Sequence, residues 1–475
     1  MKHWVLGFTI LGLYGCGTHA PIDSGIAPPA TWQYSTAADT PTRPTTPTRP
    51  VRTDWWNEFG NSELNSLVRQ ADTDNFDLAA SIARVEQAQA SARIAGAALL
   101  PTVSGFADAS RQGGLLVSDT ELAGTAFDLG LAASYELDFW GRNRALRDAA
   151  LARLRASGFD RDTVALTLNA DVTNTWLQTV ALRERYGIAQ ENLKIAQQIL
   201  ATVESQFRAG AATPIDLAQQ RAVVAAQRRS TALLGQQAND SHATLAVLLG
   251  IPVSRLQLST TALDGLRIPG IDAGVPSSLL VQRPDLARAE AQLQAASANV
   301  TAARAAMLPG VTLTGSVGFG NDRIRTLFDN SLYSIAAGLS APIFSGGSLA
   351  AGRDLAVSQK EELLANYRQA IIAAFGDVER SLNAIQGIDA QRAAQTDELD
   401  EARRALALAQ SRYRAGAETL LVVLAAQQTR YRAEDENVQL RLARLQGAVS
   451  LFRALGGGWR DAGVQAGAGK SYALR

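Results

Sequence analysis

The chain is written twice, and that duplication limits its fold more than any other feature. Ala98-Leu99-Leu100-Pro101 returns 208 positions later as Ala306-Met307-Leu308-Pro309. Ser205-Gln206-Phe207-Arg208-Ala209-Gly210-Ala211 returns 206 positions later as Ser411-Arg412-Tyr413-Arg414-Ala415-Gly416-Ala417. Leu248-Leu249-Gly250 and Ala454-Leu455-Gly456 keep the same spacing, and Asn75-Phe76-Asp77-Leu78 corresponds to Arg283-Pro284-Asp285-Leu286. Matches in order at nearly constant offset mean that one unit of about 200 residues must fold twice. The 475-residue length agrees, being too long for a single ordinary domain.

Each unit reads helix, strand, strand, helix, helix. In the first, an Ala-rich stretch at 77–100 stops before Pro101, strands follow at about 102–111 and 125–139, and no proline occurs between Pro101 and Pro214. Residues 142–209 can therefore run as one helix of 68 residues, roughly 100 Å long, followed by a helix at 215–250. The second unit repeats this with helix 279–308, strands at about 311–319 and 332–344, a 67-residue helix at 349–415 and a helix at 419–455. Gly158, Gly187, Gly376 and Gly387 are the expected weak points of the long helices. The two shorter helices of each unit together match its long one. The simplest path climbs half-way into the strands, descends the full length and returns half-way, which leaves segment 251–276 at mid-height. Leu193, Ala196, Leu200, Val203 and Phe207, and likewise Leu399, Ala402, Leu406, Ala409 and Tyr413, follow the 3,4 spacing of coiled-coil stripes.

The strands alternate. Phe127, Leu129, Leu131, Ala133, Tyr135, Leu137 and Phe139 occupy odd positions, with Asp128, Gly130, Ala132, Ser134, Glu136 and Asp138 between them. Val311, Leu313, Val317 and Phe319 alternate with Thr312, Thr314, Ser316 and Gly318 in the same way. Such strands suit either a half-buried sheet of a soluble domain or a membrane barrel with lipid outside and water inside, and the amino terminus described below favours the barrel. Four strands cannot close a barrel, and an open edge cannot face lipid, so several copies must pool their strands. Two copies would give a nearly filled eight-stranded barrel and three a twelve-stranded one with a lumen. The strand pattern leaves both open.

The amino terminus points to the same membrane. Lys2 and His3 precede an apolar run from Trp4 to Tyr14, too short to span a bilayer but suited to a secretory leader over 1–15. Leu13-Tyr14-Gly15-Cys16 resembles a bacterial lipobox, which makes Cys16 the expected site of acylation. The residue after it is Gly17, and by resemblance to Gram-negative lipoproteins the absence of Asp there implies an outer-membrane address. Residues 16–53 then read as a Pro- and Thr-rich tether.

Composition narrows the function. Forty-five basic residues balance forty-five acidic ones, unlike the basic footprint of a nucleic-acid binder. One cysteine excludes an intrachain disulfide, and three histidines make a His/Cys zinc site a poor expectation. His242 lies in a helical stretch without the signature of a nucleophile elbow or a zinc protease, so neither an enzyme nor a cofactor is expected.

With these features the chain resembles the TolC-type outer-membrane factor family in its lipoprotein, NodT-like branch, from Cys16 to Trp459. The matches are the lipobox, Asp54-Trp55-Trp56, Gln282-Arg283-Pro284-Asp285-Leu286 with Glu290, the paired Arg-Ala-Gly-Ala turns, and Leu455-Gly456-Gly457-Gly458-Trp459. The resemblance implies a mainly α fold with a membrane β-barrel: a trimer with a twelve-stranded barrel above a long α-helical periplasmic tunnel. It implies a passive conduit in the outer membrane that works with a periplasmic adaptor and an inner-membrane pump of the resistance–nodulation–division type. The expected divisions are repeats at 54–250 and 277–460, a mid-height linker at 251–276 and a tail at 461–475. Other readings are a periplasmic coiled-coil adaptor and the outer-membrane conduit of a type I protein secretion system.

A tunnel of this kind must close at its periplasmic tip, formed by the turns Arg208–Asp216 and Arg414–Val422. Asp216 matches an acidic position of the family, although Thr213-Pro214-Ile215-Asp216 is also a helix start, with Thr at the cap and Pro at the first helical position. Family members often carry aspartates where this chain has Val422 and Ala425. The expected gate is therefore apolar, formed by Leu421, Val422 and Leu424, with Tyr413, Arg414 and Glu418 making linkages around it. Pro284 and Asp285 are read as a helix start, with Arg283 placed to bridge to neighbouring chain. Trp55, Trp56 and Trp459 are expected to pack the belt where the termini meet.

Overall fold

The computed structural model describes residues 24–34, 51–115 and 121–461, so Cys16 and the leader at 1–15 lie outside the described residues. A short 3-10 turn, Trp55–Phe59, precedes α1, Ser62–Asp74, and α2, Phe76–Ala97. Strands β1, Thr102–Leu115, and β2, Glu121–Leu137, lead into α3, Arg142–Arg208, and α4, Pro214–Leu248. The second unit follows as α5, Pro284–Ala305; β3, Gly310–Asn321; β4, Ser331–Ser340; α6, Ser348–Arg414; and α7, Leu420–Ala454. Apart from α1, the expected element order is observed in both units.

The long helices α3 and α6 are each a single α-helix of 67 residues, uninterrupted at Gly158, Gly187, Gly376 and Gly387. A helical glycine costs only about 1 kcal/mol, and stretches of bonded turns on both sides hold the helix through it. Strands β1, β2 and β3 reach a few residues further towards their hairpin ends than expected, and three other boundaries differ because of a proline. Helix α5 begins at Pro284 rather than 279, after a separate 3-10 turn over Pro276–Val281, because proline at the first helical position bars a turn from continuing into it. Helix α2 ends at Ala97, and a turn carries the chain to Pro101. Strand β4 stops at Ser340, two residues before Pro342, instead of reaching 344. Helix α1 was not foreseen, although Leu64, Leu67, Val68 and Ala71 are the buried face of a helix at 3,4 spacing.

The short helices do stack end to end. At the α4–α2 junction Asn75 caps α2 by accepting from the Leu78 N–H, while its amide donates to the Leu248 carbonyl at 2.8 Å. Gly250 turns the chain there with φ +67, and an added Cβ would collide with the Asp74 carbonyl. The α7–α5 junction repeats the device. Arg283 donates to the Ala454 carbonyl at 3.2 Å, and Gly456, with φ +82, lies so close to the Gln282 carbonyl that no Cβ could fit. Arg283 bridges within its own chain, through a fork to Asp285 (3.0 and 2.7 Å) and a bond to Asp377 of α6 (3.2 Å). Burial alone would push the Asp285 carboxyl up; the bonds from Arg283 outweigh that and hold it below the usual carboxylate range.

Around these junctions lies the largest apolar core. Trp55 is buried, stacks on Phe452 with centroids 5.0 Å apart, and meets Trp56 and Phe59 edge-on. Trp459 packs edge-on against Phe159 and donates to Asp162 at 2.9 Å. The mid-height segment is bound into the same belt: Arg183 donates to the carbonyls of Leu258 and Thr260, and Leu263 N–H to Glu184. Trp55, Trp56 and Trp459 thus all serve packing, as expected.

Candidate functional site

The four strands form one antiparallel sheet in the order β1-β2-β3-β4. Its register puts Val103 opposite Ala133, Leu129 opposite Phe319, Leu131 opposite Val317 and Val317 opposite Tyr333, all on one face. The other face carries Asp108 opposite Asp128, Ser134 opposite Thr314 and Ser316 opposite Ser334, whose hydroxyls lie 2.8 Å apart. Gly130 and Gly318 face each other on that side, where a Cβ on Gly130 would press into the Phe106 ring and the Gly318 backbone. A small, polar face backed by an apolar one is the pattern of a strand between water and lipid. On the apolar side Ile335 is 86% and Leu339 73% exposed. At the strand-to-helix ends Phe139, Trp140, Ile343 and Phe344 are exposed, with Trp140 held by its donation to the Pro309 carbonyl at 2.7 Å. Aromatic residues in such a row belong at a membrane–water boundary. Among the described residues β1 and β4 each pair on one side only, so the sheet has two open edges there. Among the described residues no helix is long and apolar enough to cross a membrane.

About 100 Å away along the helices lies the tip. Val203, Leu406, Ala409, Leu420 and Val423 form its buried core, with Leu217, Tyr413 and Leu424 packed against it. Tyr413 donates to the Gln206 carboxamide at 2.5 Å, tying α6 to α3. Burial, and then the nearby Asp216 charge, raise its phenol above the ordinary value. Glu418 accepts from the Thr419 N–H at 3.2 Å and lies 3.6 Å from Arg412, whereas Arg414 turns back to the Gln410 carbonyl of its own helix. Further up, Arg185 and Asp435 form a fork between α3 and α7 at 2.6 and 3.0 Å. Tyr431 donates to the Asn192 carbonyl at 3.2 Å, and burial pushes its phenol up to about 12.

The two turns differ in rigidity. Thr213 and Asp216 make a full capping box: Asp216 accepts from the Thr213 N–H (2.8 Å) and hydroxyl (2.7 Å), and its own N–H donates back at 3.2 Å. In the second turn Thr419 makes no side-chain cap and Leu420 stands where the first has Pro214. Leu421 is 65% exposed and Val422 41%, so of the three apolar gate candidates only Leu424 is substantially engaged within the chain. Ile215, at the position equivalent to Leu421, is also exposed and was not singled out from sequence. The 206-residue offset that links the turns was the signal for it.

The capping box has a testable consequence. Hydrogen bonds from Thr213 hold the Asp216 carboxyl below its usual value. A depressed folded-state pKa gives stability that is present above the unfolded value, about 4, and is lost as pH falls through the folded one. Thr213→Ala is expected to cost about 1 kcal/mol. Thermal melts of the wild type between pH 3 and 6 should fall more steeply than those of Asp216→Asn; parallel curves would contradict the assignment.

Two stretches of the chain, 67–251 and 275–457, match the family model described as outer membrane efflux protein. The chain belongs to that family. It is 49% identical over 467 residues to the pyoverdine export outer membrane protein OpmQ of Pseudomonas putida, covering 97% of this chain and 98% of that one. It is 30% identical to the cation efflux system protein CusC of Escherichia coli, over 86% of this chain and 88% of the relative. The solved outer-membrane channel OprN superposes with a TM-score of 0.84 at 27% identity, covering 92% of this chain and 99% of the channel. As an outer membrane efflux protein, the chain is the outer-membrane channel component of an efflux system, and the sheet and the helical tip are the two ends of its conduit.

Proposed function

We propose that three copies of this chain join their sheets into a twelve-stranded barrel and their helices into a periplasmic tunnel. The observation that carries this reading is the pair of open edges on β1 and β4, whose neighbours expose lipid-type side chains. An unpaired strand edge in hydrocarbon leaves N–H and C=O groups unsatisfied at several kcal/mol each, so sister chains must supply the missing pairs. The small side chains of the inner face leave room for a water-filled lumen once twelve strands close it. Acylation of Cys16 anchors the chain to the same membrane. The conduit performs no catalytic step: an adaptor and an inner-membrane pump select and drive the cargo. At the tip Leu421, Val422 and Leu424 close the tunnel, with Asp216, Tyr413, Arg414 and Glu418 around them. The weakly capped α6–α7 turn is the element free to move.

The relative named for pyoverdine export makes a secreted metabolite of that class the first cargo to test. Cells that lack the chain are expected to retain several-fold more of it in the periplasm, with unchanged tolerance to metal cations. The reverse, normal secretion with lost cation tolerance, would transfer the role to that of the cation-efflux relative.

A further inference from the structure

The connection between β3 and β4 is folded back on the sheet. Its 3-10 turn, Ile324–Asp329, is tied to the end of β3: the Asn321 amide donates to the Thr326 carbonyl at 2.8 Å, and the Gly320 N–H to the Asn330 carbonyl at 3.3 Å. Phe328 meets Phe319 edge-on, with ring centroids 5.3 Å apart. Phe319 lies opposite Leu129 on the apolar face, so the turn leans over that face and away from the small-residue side of Gly318. Even so, Ile324 and Phe328 stay 67% and 66% exposed.

The strand sets the height of this cluster. Trp140, at the boundary nearer the helices, is held by the Pro309 carbonyl. From Pro309 to Phe319 there are ten residue steps. They cover about 33 Å along a strand and about 25 Å across a bilayer at the usual barrel tilt. That is the height of the apolar band of such barrels, so the Phe319–Phe328 pair marks its outer edge. Arg323 and Arg325 flank Ile324 there and are exposed. Arg111 arrives from a different strand: unbroken register pairs it with Thr125, one step along the apolar face beyond Ala109 and Phe127. A guanidinium on a lipid-facing strand needs a polar boundary within reach of its head. None of the three arginines has an ion pair among the described residues. Asp322 and Asp329 share the connection, so recognition here must come from where the guanidiniums are placed and not from bulk charge.

We propose that Arg111, Arg323 and Arg325, with Ile324 and Phe328, form a binding surface for a phosphate-bearing lipid of the outer leaflet. The two apolar side chains enter the acyl boundary, and the guanidiniums take the phosphates through paired N–H···O bonds. Arginine suits the task because its planar fork matches a phosphate, where lysine offers a point charge. The outer leaflet is the one met, because this end of the sheet is remote from the helices. The proposal rests on the reading of the sheet as a membrane wall.

The test titrates the full-length channel, extracted in a neutral detergent, with bisphosphorylated lipid A and counts bound lipid by native mass spectrometry. The wild type is expected to bind the same lipid at least tenfold more weakly once a phosphatase has removed its phosphates. Arg111→Gln, Arg323→Gln and Arg325→Gln together should lower affinity for the phosphorylated form at least tenfold and leave the dephosphorylated form unaffected. Phe328→Ser should weaken both. Equal binding of the two lipids by the wild type overturns the proposal with no variant needed. A triple variant that inserts and melts like the wild type yet keeps its affinity overturns it as well. A chain that needs no detergent would overturn the membrane wall itself, and that result is read before any lipid is added.

Discussion

Gly456→Ala is expected to remove most of the folded protein from the outer membrane. Gly456 sits at φ +82, a conformation that costs a residue with a Cβ about 1 kcal/mol or more. The added methyl would also drive into the Gln282 carbonyl at the α7–α5 junction, where backbone cannot step aside without breaking the Arg283 bonds. Overpacking of this kind adds about 1–3 kcal/mol, giving about 2–4 kcal/mol in total. Gly210 is the control. It has φ +74 at the exposed tip but nothing near its missing Cβ, so Gly210→Ala should cost only about 1 kcal/mol. Membrane abundance and thermal melts of the extracted protein measure both. Equal effects of the two substitutions would show that the junction is looser than its geometry implies.

Val422→Asp is expected to open the tunnel. On the proposed gate it would place one carboxylate per chain at the constriction, in place of an apolar side chain that is 41% exposed in the single chain. Two like charges about 4 Å apart repel by about 1 kcal/mol in water and about 4 kcal/mol at a protein surface, which opposes closure by apolar contact. The α6–α7 turn has no capping box to resist the movement. Single-channel conductance should rise at least tenfold, and cells should become sensitive to antibiotics too large for porins. Unchanged conductance in a correctly assembled channel would remove Val422 from the gate.

Much of the architecture was legible because the chain states it twice. Proline-free stretches defined α3 and α6, and period-two alternation defined the membrane face of β2 and β3. The differing ends of α2, α5 and β4 were local events at Pro101, Pro284 and Pro342, where sequence periodicity continues through a residue that the backbone cannot. Helix α1 was obscured by its short length and by the polar residues of its exposed face. The tip was only half legible. The Thr213–Asp216 box could be read from spacing, since a cap is local, and so could the apolar character of Leu421 and Val422. Tyr413 to Gln206 and Arg185 to Asp435 join helices more than 200 residues apart in sequence, and no spacing rule reports such pairs. The packing of residues 24–34 along α6 was likewise invisible, because Pro- and Thr-rich flanks make them read as tether while Trp32 with Phe375, Ser24 with Arg368 and Gln33 with Glu379 meet only in the fold.

On the proposed assembly one chain supplies a third of a pore wall and cannot seal it alone. Native mass spectrometry of the mature protein extracted gently from outer membranes tests this most directly. Three copies in one detergent-dependent particle is the expected result. A monomer that stays in solution without detergent would rule out a shared pore wall.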